Sequence, residues 1–209
     1  MKGLAVVIMG VTGSGKTTIG TLLAKALHCN FIDADDFHSV ENKEKMRSGI
    51  PLTDEDRVPW LEAVRDTIID HMIEGKIVVV ACSALQPKYR EILRTADPEY
   101  ALASYDGAKG QKTKSISLSS NSEGQQCAKS SSRRVIFVCL QASAEVIASR
   151  LETRAKEGEH FMSPSLLQSQ INLLQIDDAE GIFFIDATLS SDLTVKNIQR
   201  KLSDSQLIS

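Results

Sequence analysis

The chain has 209 residues, enough for one well-buried domain, and its 42% apolar and 24% charged side chains are those of an ordinary globular protein. A net charge of −3 gives no global basic field, so neither nucleic acid nor an anionic membrane is an expected partner. No apolar run reaches the roughly 18 residues of a membrane span. The four cysteines (Cys29, Cys82, Cys127 and Cys139) lack metal-site spacing and are too sparse for a disulfide framework, which points to a reducing, cytoplasmic setting.

In chain order, "MKGLAVVIMG" carries one lysine and a short apolar run that enters a glycine-rich loop, so Leu4–Met9 is expected to be a buried first strand rather than part of a signal peptide. Ile19, Leu22, Leu23, Ala26 and Leu27 then recur at helical spacing, and Phe31–Ile32 begins a second strand. Thr53 followed by Asp54, Glu55 and Asp56 is a helix-start signal, but Pro59 suits only a first turn. The main helix is therefore expected from about Pro59, with Leu61, Val64, Ile68 and Met72 inward and Gly75 as its stop. Ile77–Cys82 is the strongest buried strand. Gln86–Arg94 reads as a helix, Val135–Leu140 as a strand and Ser143–Lys156 as a helix. Ser163-Pro164 starts another helix, Phe183–Asp186 forms a last strand, and Val195, Ile198 and Leu202 mark a closing helix. Strands alternating with helices predict a three-layer α/β domain over residues 1–209, with a parallel sheet covered on both faces.

Residues 104–134 depart from that pattern. Nine serines, three glycines and almost no large apolar side chains cannot offset the entropy of ordering, so a low-complexity surface insertion is expected there.

The segment "GVTGSGKT", Gly10–Thr17, fits the phosphate-binding pattern G-x-x-x-x-G-K-[ST] and lies between a strand and a helix. Its glycines let successive N–H groups of Gly10, Val11, Thr12, Gly13, Ser14 and Gly15 turn inward at phosphate oxygens, beside the helix start at Lys16, Thr17 and Thr18. Lys16 is expected on the β- and γ-phosphates of a nucleoside triphosphate and the Thr17 hydroxyl on Mg²⁺. No N-K-x-D base reader is present, because "NKEK" at 42–45 ends in lysine. The strand 77–82 also ends without an acid. The metal-side carboxylate is therefore sought in "FIDADDFH", at the sheet edge where open α/β folds bind ligands. Asp33 is assigned to Mg²⁺ through water, and Asp35 to the acceptor hydroxyl as base. Arg150 and Arg154 share one helix face and are expected to close over the phosphates, followed by a lid loop at 155–163 that excludes water.

The strings "MGVTGSGKTT", "DADDFH", "NKEKMRSGIPLTDEDRVPWL", "CSAL" with "YREILR", "SRLETR" and "HFM" with "LLQSQ" together resemble the small P-loop gluconokinases, related in fold to shikimate kinase and the nucleoside monophosphate kinases. The likeness spans nearly the whole chain outside 104–134, and "PLTDEDRVPWL" is its most specific part. It implies a five-stranded parallel sheet, a lid and, often, a homodimer. The activity it implies is ATP- and Mg²⁺-dependent phosphorylation of D-gluconate to 6-phosphogluconate, which feeds the pentose phosphate route.

A polyol acid needs a cation for its carboxylate and polar groups for its hydroxyls. Arg57 is the first choice for the carboxylate, with Lys45 and Arg47 as substitutes. His38, Ser83 and His160 are candidate hydroxyl partners, and Trp60 is expected to pack rather than carry the sugar. The chain departs from the family at Gln86-Pro87, where "CSAL" is usually followed by basic residues. It also departs in the longer stretch between Arg154 and His160, and at "QINLLQ" from Gln170. A kinase for another small hydroxylated acid, such as shikimate, and a catalytically silent ATP-binding regulator are the competing readings.

Overall fold

A computed structural model of the chain describes residues 3–102, 134–156 and 164–208. The expectations for the insertion up to Arg133, for residues 157–163 of the lid loop, and for His160, Ser163 and Cys127 lie outside these residues.

Five strands form one parallel sheet among the described residues: β1 (Leu4–Met9), β2 (Asn30–Asp33), β3 (Ile77–Ala81), β4 (Arg134–Gln141) and β5 (Phe183–Asp186). Their order is β2-β3-β1-β4-β5, which bears out the three-layer α/β expectation. Central β1 is buried at every residue, as a parallel strand covered on both sides must be. Ala5, Val7 and Met9 face one core, and Leu4, Val6 and Ile8 face the other. The first core is closed by α3 (Asp54–Ile73) and α4 (Pro87–Arg94), the second by α1 (Lys16–Ala26) and α7 (Ser191–Asp204). Leu61, Val64, Ile68 and Met72 of α3 are fully buried, each contributing roughly 2 kcal/mol of apolar burial.

The structure corrects the start of α3. The helix begins at Asp54, because Thr53 and Asp56 form a reciprocal capping box: Asp56 N–H donates to Thr53 Oγ1 and Thr53 N–H to Asp56 Oδ2. Pro59 is accommodated within the helix. Both it and Glu55, whose carbonyl it leaves without an intrahelical donor, are exposed, so the missing bond falls on the solvent face and not in the core.

A short helix that the apolar pattern did not announce, α2 (Val40–Arg47), buries only Asn42. Ser39 caps it by accepting from Asn42 N–H, and the Asn42 amide in turn donates to the Asp56 carbonyl, which fastens α2 to α3. Two further helices, α5 (Ala144–Lys156) and α6 (Pro164–Leu173), flank the carboxyl ends of the strands. A small third core of Val11, Leu85, Ile147 and Leu167 joins them to the loop after β1.

Candidate active site

The loop Gly10–Gly15 links β1 to α1 through three left-handed glycines. At two of them the demand is specific. Gly13 (φ +75°) would bring a Cβ to 3.0 Å from Ile147, and Gly15 (φ +97°) is the residue from which α1 begins. The loop lies at the positive end of α1, and three of its N–H groups have protein partners: Gly10 donates to the Ser83 carbonyl, Thr12 to the Gln170 side chain and Ser14 to the Val11 carbonyl. Lys16 folds back over it and donates to the Val11 carbonyl at 3.0 Å. Burial lowers the Lys16 pKa, an effect opposed by Asp35, Cys82 and Asp33 and reinforced by Arg154. The chain thus gathers Lys16, both acids and Arg154 in one field.

Thr17 and Asp33 meet directly. The threonine hydroxyl donates to Asp33 Oδ2 at 2.8 Å, while Asp33 Oδ1 accepts from Asp35 N–H at 3.1 Å. Asp33 is thereby the cap of a single 3₁₀ turn, Ala34–Phe37, that aims Asp35 into the cleft. Desolvation by the cleft walls raises the Asp35 carboxyl, with Asp33 and Asp36 adding to the rise and Lys16 opposing it. Its side chain keeps 72% of its surface open, so solvent entering the cleft mouth tempers that rise. Behind the turn, the Trp60 indole donates to the Ala34 carbonyl at 2.6 Å and stacks on His38 with ring centres 4.0 Å apart. Trp60 thus packs, as expected, and braces the turn.

Two cavities flank the P-loop. In one of them, Gly13, Gly15 and Thr18 face Arg150, Arg154, Ala187 and Thr194. The hydroxyls of Ser14 and Thr194 are buried there without a partner among the described residues. On the other side, Thr12 and Lys16 share a cavity with Asp35, His38, Arg57, Ser83 and Gln170.

The structure brings together most of the side chains singled out from sequence, but not all. Arg150 lines the cavity of Gly13, Gly15 and Arg154, and its guanidinium donates to the Ala187 carbonyl at 2.6 Å on that wall. Arg154, one helical turn on, is the member of the pair whose charge reaches Lys16. Lys45 is held outside the cavity of Asp35 and Arg57 by both carboxylate oxygens of Asp56, at 2.7 and 2.8 Å, and Arg47 pairs with Glu44 on the surface. Arg57 stays unpaired by acid among the described residues, its Nη1 donating to the Tyr89 hydroxyl at 3.0 Å. His38 is buried, and burial, with Lys43 and Arg57, pushes its pKa down to about 4. The ring is neutral near pH 7. Its Nδ1 has no partner among the described residues.

Two contributors were not read from sequence. Gln170 of α6 accepts from Thr12 N–H at 2.7 Å, tying α6 to the P-loop. Arg90, fully buried, grips both oxygens of Glu180 at 2.7 and 2.5 Å and donates to the carbonyls of Ala84 and Gln175. It anchors the loop that carries Ser83. The available signals were slight: a charged residue on the inward face of α4, between Tyr89 and Leu93, and a glutamine among the apolar positions of α6.

Among the described residues no helix is long and apolar enough to cross a membrane. A family model described as shikimate kinase matches residues 12–102. The chain is 46% identical to the gluconokinase of Arabidopsis thaliana, over 98% of this chain and 95% of that one. It is 33% identical to the thermosensitive gluconokinase of Escherichia coli strain K12, over 92% and 83% respectively. A crystal structure of a gluconokinase from Sinorhizobium meliloti superposes with a TM-score of 0.70 at 31% identity, covering 96% of this chain and 91% of that one.

Proposed function

The chain belongs to the gluconokinase family of small P-loop kinases, and on that premise we propose that its cleft moves the γ-phosphoryl group of ATP to the terminal hydroxyl of D-gluconate. The products are 6-phosphogluconate and ADP. The observation that carries this reading is one shared cavity in which Thr12 and Lys16 of the phosphate cradle meet Asp35 and Arg57.

In this reading Asp35 takes the proton of the acceptor hydroxyl as its oxygen bonds to phosphorus and the bond to the bridging oxygen of ADP breaks. Lys16 and Arg154 offset the charge that spreads over the transferred group. Arg57 pairs with the substrate carboxylate, since a planar guanidinium with no acid bound to it among the described residues suits that anion. Ser83 and neutral His38 line the path between, able to exchange hydrogen bonds with the polyol. Arg150 and the buried hydroxyl of Thr194 serve the nucleoside end.

The site suits Mg²⁺: Thr17 and Asp33 present adjacent oxygens beside the cradle, and a magnesium site needs few protein ligands when phosphates and water complete the shell. Thr17 and Asp33 would hold the ion, which would supply positive charge against that of the phosphate oxygens. The setting we infer is cytoplasmic, with small molecules as partners.

A coupled ADP-release assay tests the assignment across gluconate, shikimate, gluconolactone and nucleoside monophosphates. Gluconate is the expected acceptor. Turnover of shikimate without gluconate, or silence on every acceptor, would overturn the reading. Arg57→Gln is expected to raise the gluconate KM roughly thirtyfold, with the ATP KM within about twofold, as loss of a charge-assisted pair implies.

A further inference from the structure

Arg57 has a natural competitor for its charge. Asp54 lies three residues earlier on α3, a spacing that places the two side chains on one helix face. Left alone, the acid would fold onto the guanidinium and occupy the fork meant for the substrate. In the structure it does not. One Asp54 oxygen takes the Lys88 ammonium, and the other accepts from the Tyr89 hydroxyl at 2.6 Å. The same Tyr89 oxygen accepts from Arg57, whose guanidinium sits 5.4 Å from the Tyr89 ring centre. The acid is thereby held by Lys88 and Tyr89, and Arg57, with no acid bound to it among the described residues, lines the cavity.

Lys88 holds this position for a reason visible in the chain. Gln86 and Pro87 open α4, so the first long cation after the β3 loop is Lys88, one residue before Tyr89. It stands 5.4 Å from the Tyr89 ring centre, half-exposed, at the rim of a groove that shares Arg57 with the acceptor cavity. An exposed ion pair of this kind adds little to folding stability. Its effect on where Asp54 points is another matter.

Resting on the assignment of Arg57 to the acceptor carboxylate, we propose that Lys88 is a positioning residue for acceptor specificity: by engaging Asp54 it keeps that acid off Arg57 and leaves the guanidinium open to a carboxylate-bearing substrate. The effect belongs to acceptor binding and not to phosphoryl transfer.

Steady-state kinetics of the full chain test it. Lys88→Met should raise the gluconate KM roughly five- to tenfold while kcat and the ATP KM stay within about twofold. Adding Asp54→Asn should return the gluconate KM to within about twofold of the parent. Asp54→Asn alone should leave it within the same margin; a several-fold drop would mean that the groove works through net charge and would overturn the shielding role. An unchanged KM in Lys88→Met, or a double variant as impaired as the single one, would overturn it too. Arg57→Gln, run alongside, separates the two levels. If it raises the KM and Lys88→Met does not, only the role of Lys88 falls. If neither changes the KM, the carboxylate assignment falls with it.

Discussion

The two sides of the P-loop are built by different means. The side proposed for the nucleotide rests on one continuous loop with left-handed glycines and the start of α1, faced by Arg150 and Arg154 of a single helix. The side proposed for the acceptor is lined by side chains drawn from the turn after β2, from α3, from the loop after β3 and from α6. A backbone cradle fixes its geometry locally and recognises what all triphosphates share. A cavity assembled from distant side chains can be retuned at one wall while the others stand, and on the proposed function that is where selectivity would reside.

Substitutions on the two sides should therefore separate in kind as well as size. The largest effect is expected at the shared point. Lys16→Ala should lower kcat by roughly 10³-fold or more, with the melting temperature unchanged, in the ADP-release assay and a thermal scan. Near-parental kcat would break the idea that cradle and cavity meet at this ammonium. Next comes the acceptor wall: Arg90→Met leaves Glu180 with Arg94 alone and takes the donor from the Ala84 and Gln175 carbonyls, and should destabilise the fold by about 3 kcal/mol, seen by denaturant titration. Asp35→Asn should reduce kcat about 100-fold at constant ATP KM, and a change confined to ATP binding would move Asp35 to the nucleotide side.

The smallest effect is pH-linked. His38 in the native fold titrates at about 4, below its ordinary value of 6.5, so between those pH values the unfolded chain binds a proton that the native chain refuses. Stability should fall as pH drops through that window, by about 2 kcal/mol at pH 5, and His38→Gln should flatten this slope in denaturant titrations at pH 7 and 5. An identical slope in the variant would show that other groups set it.

The same contrast explains what could be read without coordinates. Gly10–Thr17 is contiguous, and Asp33 and Asp35 follow a strand end, so spacing alone located them and the structure joins Thr17 to Asp33. The start of α3 was misplaced because Pro59 outweighed a capping box whose second half is visible only as a hydrogen bond. Arg150 and Arg154 share a helix face, yet which one faces Lys16 depends on the Ala187 carbonyl, 37 residues from Arg150. Lys45 looked available until Asp56, on another helix, took it. Gln170 reaches Thr12 across 158 residues, a relation no local pattern encodes. Periodicity reports burial; it does not report which polar groups meet.

The grip of Arg90 bears on how such an enzyme can diverge. Two of its hydrogen bonds go to main-chain oxygens, those of Ala84 and Gln175, and Ala84 is bent into the left-handed region. A segment pinned by its peptide oxygens keeps its course whatever side chains it bears. Positions 86 to 88 are thus free to exchange one cation pattern for another without moving Ser83, and a new acceptor preference can arise at that corner while the transfer machinery is left untouched.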